Sequence, residues 1–336
     1  MSKPKVEMPE AMSHKLRQSY SGYLLGREGR TLAELKEVID SGRVPTKAME
    51  DGALVDQLLY GGHTYCEAQT CVKRSGPEKG QQFEPEDWTS ADAKEQREAA
   101  RARGQVCALK HEVDLALVQK QSLLEALEAE GIDLFNEKRV TRCMGDPLVQ
   151  TQVTFSGPTP ERIFTQPRID WRDSDGVECH GTLDILQIFK DLSWRIVDTK
   201  LSARADEDFA SQQAAKMGWD TQHGAYFEAC VIGLGLDPDK FRGHGLAVCE
   251  KRSKLSMAAV YWLDDMFLHC GQEQWRRCKL VWKEALEKDE WPGFTGGKLS
   301  PPGYYVSRLF DEAVSPEAGG LSSVGLDVSD LDTEET

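Results

Sequence analysis

Asp184, Asp198 and Lys200 are the residues of this chain whose types and spacing point most directly to chemistry. They lie in residues 181–200, which read as a β-hairpin. Leu183, Ile185, Ile188 and Phe189 form one apolar run and Trp194, Ile196 and Val197 another, with the polar break Lys190-Asp191-Leu192-Ser193 between them. Each run carries one carboxylate in otherwise apolar surroundings. Lys200 follows Asp198 by two residues, which puts both side chains on one face of a strand. Burying a lone carboxylate is costly, so two of them converging with a lysine need a partner, and a divalent cation suits. The competing reading of the same residues is an edge hairpin with a surface salt bridge. Asp92-Ala93-Lys94 and Glu34-Leu35-Lys36 have similar spacing but sit in polar helical contexts and read as solvated faces.

Two further segments supply polar groups. Gln222 and Tyr226 are four residues apart in a predicted helix and therefore share a face. An amide and a phenol there suit a phosphate backbone or an ordered water; a core tyrosine beside an incidental glutamine is the plainer alternative. Asp56 interrupts the apolar run 53–59. A helix-borne acid there could reach the same cation, although the pattern alone favours an exposed position on an amphipathic helix.

The elements that must position these groups follow from periodicity. Residues 1–13 are polar and read as loose, and residues 14–41 as mixed and helical, with Leu32, Leu35 and Ile39 at helix spacing. Residues 52–62 read as a short helix, 73–90 as a charged, turn-rich loop, and 91–130 as helical with a break near Gly104. The second of those helices is expected to bury Val113, Leu117, Leu124 and Leu127 and to stop at Gly131. Strands are expected at 149–155, 162–171, 178–189 and 194–200. A long helix follows over 206–232, ended by Gly233 and Gly235, then strands at 241–250 and 257–262. The last helix, 264–288, carries Phe267, Trp275, Leu280, Val281 and Trp282. Helices, a sheet, then a helix and more strands give an α/β or α+β domain.

At 336 residues and 40% apolar content the chain can bury a sizeable core. Its formal charge of −15 excludes a broadly basic coat but leaves room for a local basic channel, for which Arg139, Arg142, Arg162, Arg168 and the turn 251–254 are candidates. Part of the negative charge sits in Asp327, Asp330, Asp332, Glu334 and Glu335. Nothing near the N-terminus resembles a signal peptide, and no run of about 18 apolar residues could span a bilayer. The nine cysteines lie singly, without metal-ligand spacing, and read as reduced thiols of a soluble intracellular protein.

Gly-x-x-Asp (181–184), Asp-x-Lys (198–200) and Gln-x-x-x-Tyr (222–226), in this order, resemble the RecB-like and lambda-exonuclease-like branch of the PD-(D/E)XK nucleases. The context of Gly218 and Trp219, the strand Ala247-Val248-Cys249-Glu250-Lys251, Trp275 with Trp291-Pro292-Gly293-Phe294, and Leu299-Ser300-Pro301-Pro302 resemble the RecE (exonuclease VIII) type of phage and prophage exonuclease. The resemblance spans about residues 45–305. It implies an α/β restriction-endonuclease-like core, a mixed central sheet flanked by helices, with a helical N-terminal part. The implied organisation is an N-terminal segment 1–45, a nuclease domain 46–310 and an acidic, disordered tail 311–336.

What the resemblance implies for function is Mg²⁺-dependent hydrolysis of DNA, with Mn²⁺ as a substitute. Asp184, Asp198 and Lys200 would be catalytic. Asp56, Asp184, Asp198 and the backbone carbonyl of Thr199 would hold the metal, and Gln222 and Tyr226 would contact DNA. Relatives of this kind are oligomeric rings that degrade one strand 5′ to 3′ from a double-stranded end beside a single-strand annealing protein. The implied location is the cytoplasm of a bacterial host, with no membrane partner. Two departures stand out. The family's Gly-x-x-x-His is here Gly52-x-x-x-Asp56, and its glutamate ahead of the first aspartate has no clear counterpart, Glu178 being the candidate. The rival readings are another nuclease of the same fold (repair or endonuclease type), a catalytically silent DNA-binding subunit, and a structural metal protein using the cysteines.

Overall fold

The computed structural model describes residues 15–41, 46–61, 65–103, 105–153, 161–251 and 256–294. The sequence expectations for 1–13 and 311–336, and the segment boundary at 310, lie outside these residues. So does most of the turn 251–254.

The described fold begins with β1 (Leu16–Arg17), α1 (Ser21–Leu24) and α2 (Leu32–Ser41). Helix α3 (Lys47–Tyr60) starts where the Thr46 hydroxyl accepts the Met49 N–H and stops at Gly61, left-handed at φ 76°. Two short strands, β2 (Tyr65–Glu67) and β3 (Cys71–Val72), precede β4 (Gln82–Phe83). The 73–90 stretch is thus a loop, as its charge and turn residues suggest, except for β4. Helix α4 (Ala91–Ala102), capped by Ser90, leads to β5 (Val106–Ala108) and α5 (Lys110–Ala129). The break near Gly104 holds a strand that three residues are too few to announce. In α5 Leu117 is 45% exposed while Gln119 is buried, against expectation. The Gln119 amide is drawn inward to donate to the carbonyls of Glu250 and Lys251, 3.1 Å each.

Next come β6 (Val140–Arg142), α6 (Gln150–Val153), β7 (Arg162–Thr165), β8 (Arg168–Arg172), β9 (Glu178–Thr182), β10 (Ile185–Ile188) and β11 (Trp194–Ser202). The strand expected at 149–155 is instead α6 over its described part, because a short apolar pattern fits either period. The runs 162–171 and 178–189 are each broken in the middle. Gln166 takes a left-handed φ of 52° and Pro167 has no N–H to give, so the long hairpin kinks there. Its near half, β7 and β10, joins the main sheet; its far half, β8 and β9, pairs with β1 in a small sheet of order β1-β9-β8.

Helices α7 (Glu207–Met217) and α8 (Trp219–Glu228) share the predicted 206–232 helix, divided by Gly218 at φ 74° and ending in a π-helical turn, Ala229–Gly233. Strands β12 (Phe241–Glu250) and β13 (Ala258–Trp262) and helix α9 (Asp265–Lys288) complete the described fold. On α9 Trp275, Cys278 and Trp282 are buried, while Leu280 is 50% exposed.

The main sheet has the order β13-β12-β11-β10-β7-β6. It is mixed: β11 runs parallel to β12 and antiparallel to β10. A parallel pair needs a long crossover, which α7 and α8 provide. Period-two alternation divides the core between the two faces. Ile163, Ile185, Val197, Ala247 and Cys249 pack with Leu54, Val55, Leu59 and Tyr60 of α3 and Val113, Leu123 and Leu127 of α5. Phe164, Leu186, Ile188, Trp194 and Ile196 pack on the other face with α8 and α9 and with Leu16, Tyr20, Leu24 and Leu35 of the N-terminal segment. Leu246 and Val248 lie there too, against α7 and Trp219. The result is a mixed α/β fold with a central mixed sheet between helical layers. Among the described residues no helix is long and apolar enough to cross a membrane.

Candidate active site

Alternation along β11 decides which groups meet. Ile196, Asp198 and Lys200 look toward α8, while Val197 and Thr199 look toward α3. Asp184 sits between β9 and β10, at the kink, where the chain leaves one sheet for the other. Its Gln166 and Pro167 neighbours close the kink through Gln166 N–H to Asp184 O, 2.9 Å, and Leu183 N–H to Pro167 O, 3.0 Å. The site is therefore wrapped around one strand end, with α8 on one side and α3 on the other.

On the α8 side, Lys200 forms an ion pair with Asp198 and donates to Gln222 Oε1 at 2.8 Å. The Gln222 amide nitrogen donates to Asp198 Oδ1 at 3.0 Å and to Tyr226 Oη at 2.8 Å. Tyr226 in turn donates to the Thr182 carbonyl at 2.7 Å. Each member fixes the next, so the ammonium of Lys200 is held from two directions. Trp219 adds its ring, 5.9 Å from Lys200 Nζ. Gly181 makes room for this arrangement, since a Cβ there would meet Tyr226 Cε1 at 3.3 Å.

On the α3 side, Thr199 holds Asp184 twice, through its backbone N–H at 2.7 Å and its hydroxyl at 2.8 Å, both to Oδ2. Gln166 donates to Asp184 Oδ1 at 3.2 Å. The Thr199 hydroxyl also lies 3.3 Å from Asp56 Oδ1, and the Tyr60 hydroxyl approaches Thr199 Oγ1 at 3.5 Å. Asp56 is therefore drawn into the cluster rather than standing exposed on its helix, as the pattern alone favoured.

The charges do not balance. Three carboxylates face one lysine; Asp198 is buried, and Asp56, Asp184 and Lys200 are half-buried. Burial pushes the Asp198 carboxyl up to about 7, against the pull of Lys200 and with the repulsion of Asp184. Asp56 is raised well above the usual carboxylate range by burial and then by Asp184 and Asp198. The phenols of Tyr60 and Tyr226 are raised for the same reasons, burial first and the aspartates next. A cluster that holds protons on its carboxylates is one where a cation would replace them. The donors are all hard oxygens, which fits Mg²⁺ or Mn²⁺ better than a soft metal. As the side chains lie, no three His, Cys, Asp or Glu among the described residues form a ready-made metal cage. Thr199, Gln166, Lys200 and Gln222 occupy the carboxylate oxygens instead.

The sequence singled out Asp56, Asp184, Asp198, Thr199, Lys200, Gln222 and Tyr226, and all seven meet here. Tyr60, Gln166 and Trp219 join them unforeseen as members of the cluster. Tyr60 had a usable signal, four residues beyond Asp56 on the same helix face; Gln166 is brought in only by the kink. The basic residues are scattered. Arg142 donates to the Tyr60 carbonyl at 2.9 Å, at the end of the helix that carries Asp56. Arg139 faces Glu161 at 3.4 Å and Arg168 faces Asp170 at 3.3 Å. Arg162 pairs with Ile188 at the turn end of the hairpin, away from Asp184. Glu178 lies at the far end of β9, opposite Arg172, and does not reach the cluster.

All nine cysteines are free thiols. No protein-family profile matches the chain. No curated protein matches it either. Among solved structures it is similar to a presumed exonuclease from Eubacterium rectale, at 13% identity and a TM-score of 0.43, over 87% of this chain and 92% of that one. It is also similar to a phage-related exonuclease from Haemophilus somnus, at 12% identity and a TM-score of 0.29, over 82% of this chain and 96% of that one. Likeness at this level establishes neither fold nor function.

Proposed function

We propose that the protein is a metal-dependent nuclease that hydrolyses DNA phosphodiester bonds at the cluster around β11, and that it acts on linear duplex ends as an exonuclease. The observation that carries this reading is the unbalanced cluster itself: Asp56, Asp184 and Asp198 beside a single lysine that Gln222 and Asp198 hold in place. Asp184 and Asp198, with Asp56 and the Thr199 carbonyl, would hold the cation. When bound, a divalent cation there supplies Lewis-acid polarisation of the scissile phosphate and lowers the pKa of coordinated water.

The chain's own groups have distinct tasks. Lys200, fixed by Gln222 and lying near Trp219, is aimed to orient the attacking water and to offset charge that grows on the phosphate oxygens in the transition state. Gln222 couples that ammonium to Asp198, so losing the amide would leave the lysine in several orientations. Tyr226 anchors Gln222 to the β9 backbone. Thr199 keeps Asp184 turned inward. Arg142, beside the α3 terminus, would meet an approaching phosphate.

The residue-level resemblance extends the proposal to a 5′ to 3′ direction, an oligomeric ring and a single-strand annealing partner in phage-type recombination. Incubation with Mg²⁺ and either linear or covalently closed duplex tests the exonuclease reading. The linear form should be degraded and the closed circle spared; cutting of the circle would make it an endonuclease.

A further inference from the structure

Away from this cluster, two cysteines are cross-strand neighbours. Strands β2 and β5 pair in parallel with Cys66 opposite Cys107. Residues paired in register on adjacent strands point to the same side, and their backbones lie about 4.8 Å apart. That separation falls inside the range a disulfide bridges without moving the backbone. The two thiols are close enough that Cys66 disfavours ionisation of Cys107. Cys66 is half-buried and Cys107 buried, so a reagent meets Cys66 first. The buried thiols of Cys143, Cys179 and Cys249 instead point at backbone carbonyls.

We propose that Cys66 and Cys107 form a reversible dithiol–disulfide site for low-molecular-weight disulfides of the glutathione type. The Cys66 thiolate attacks one sulfur of the oxidised reagent, forming a mixed disulfide and releasing one thiolate. Cys107 then loses its proton to solvent and attacks Cys66 Sγ, which breaks the mixed disulfide and releases the second thiolate. Two protein thiols are oxidised and one reagent disulfide is reduced to two thiols, with no other reactant. Burial, and next the neighbouring Cys66, push the Cys107 thiol up to about 12, which favours this order of attack and makes the second step the slower one.

The consequence is mechanical. Strand β2 follows the helix that carries Asp56 and Tyr60, and β5 leads into α5, which packs beside it. The bond would close residues 67–106 into a loop, with α4, whose Arg97 and Arg101 already pair with Glu50 of α3. The site is independent of the nuclease reading and is tested without any activity assay.

The full chain is incubated with oxidised glutathione, its thiols are titrated and its peptides mapped. Free thiols should fall from nine to seven at the Cys66–Cys107 bond, apart from any glutathione added to exposed Cys270, and dithiothreitol should restore them. The Cys107→Ser variant should stop at the mixed disulfide on Cys66. Disulfides mapped to other cysteines would overturn the proposal. So would Cys66 and Cys107 remaining thiols, or Cys66 stopping as a mixed disulfide in the wild-type chain, while Cys270 is fully modified.

Discussion

Among the described residues, two largely buried clusters of acids gather around a lysine, and they are built to opposite ends. Between β8, α8 and α9, Lys279 pairs with Asp173 at 2.8 Å and Glu228 at 2.6 Å. The indoles of Trp171 and Trp275 donate to Glu228 at 2.8 and 3.3 Å. Burial works against the Asp173 anion, yet Lys279 and the Val177 and Asp175 N–H groups outweigh it and hold its carboxyl below the usual range. Burial likewise works against the Lys279 cation, and Asp173 and Glu228 outweigh it. The one negative charge left over is met by the two indole and two backbone N–H donors. Around β11, three aspartates face Lys200, and burial and mutual repulsion leave Asp198 near 7 and Asp56 well above its ordinary range. One cluster is complete as it stands; the other is complete only with an added positive charge. That difference separates a structural network from a site poised for a ligand.

The comparison can be broken by removing each lysine in turn. Lys279→Met should cost about 3–5 kcal/mol of folding stability, because it strands the buried carboxylate of Asp173 and the half-buried one of Glu228. Chemical denaturation measures it, and the folded fraction should keep its activity. Lys200→Ala should instead lower the DNA cleavage rate on the order of 10²–10³-fold while binding of DNA changes little. Its cost in stability should be smaller than that of Lys279→Met, since Asp198 is already poised to take up a proton.

A third buried polar group sharpens the contrast. His223 and His244 share a hydrogen bond between their Nδ1 atoms at 3.0 Å, behind Gln222, packed among Phe227, Phe241 and Tyr226. Burial depresses His223 to about 3; it depresses His244 well below its usual value, helped by His223 and Lys200. Both are neutral when folded, so they oppose folding only where the unfolded chain binds the proton. Their cost is absent above about pH 6.5 and grows as pH falls, by about 1.4 kcal/mol per pH unit for each histidine. Asp198 and Asp56, whose carboxyls are raised in the fold, take up protons over the same range and act in the opposite sense. The histidine cost is therefore read as the difference in denaturation midpoint between His223→Phe and wild type, which should widen in the variant's favour from pH 7 to 5.

Smaller effects lie within the site. Asp56→Asn removes a repelled carboxylate, so the metal-free protein should gain on the order of 1 kcal/mol, while Mn²⁺ binding followed by calorimetry should weaken. Equal stability and unchanged Mn²⁺ binding would exclude Asp56 from the cluster's chemistry. Tyr60→Phe removes a long, weak hydrogen bond to Thr199 and should cost about 0.5–1 kcal/mol, read as a shift in midpoint.

Much of this was legible in the residues. The hairpin, the shared face of Asp198 and Lys200, and the shared face of Gln222 and Tyr226 follow from periods of two and 3.6. That Thr199 turns to the opposite face follows from the same alternation. What was not legible depends on tertiary context. The kink that frees Asp184 rests on a left-handed Gln166, a residue with no strong preference for that conformation. Gln119 is buried in place of Leu117 because two carbonyls at the end of β12 need donors. Asp56 enters the site only because α3 packs against the Thr199 face of β11. The break at Gly218 shows in sequence as a lone glycine, which a helix tolerates as often as it ends there.

The most direct test of the central claim is release of label from end-labelled linear duplex DNA by the wild-type protein and Lys200→Ala, with Mg²⁺ and with chelator. The charge-unbalanced cluster predicts release only for the wild type with Mg²⁺, and a drop on the order of 10²–10³-fold for Lys200→Ala. Release that persists in chelator, equal release by the variant, or no release by the folded wild type with Mg²⁺ or Mn²⁺ would contradict it.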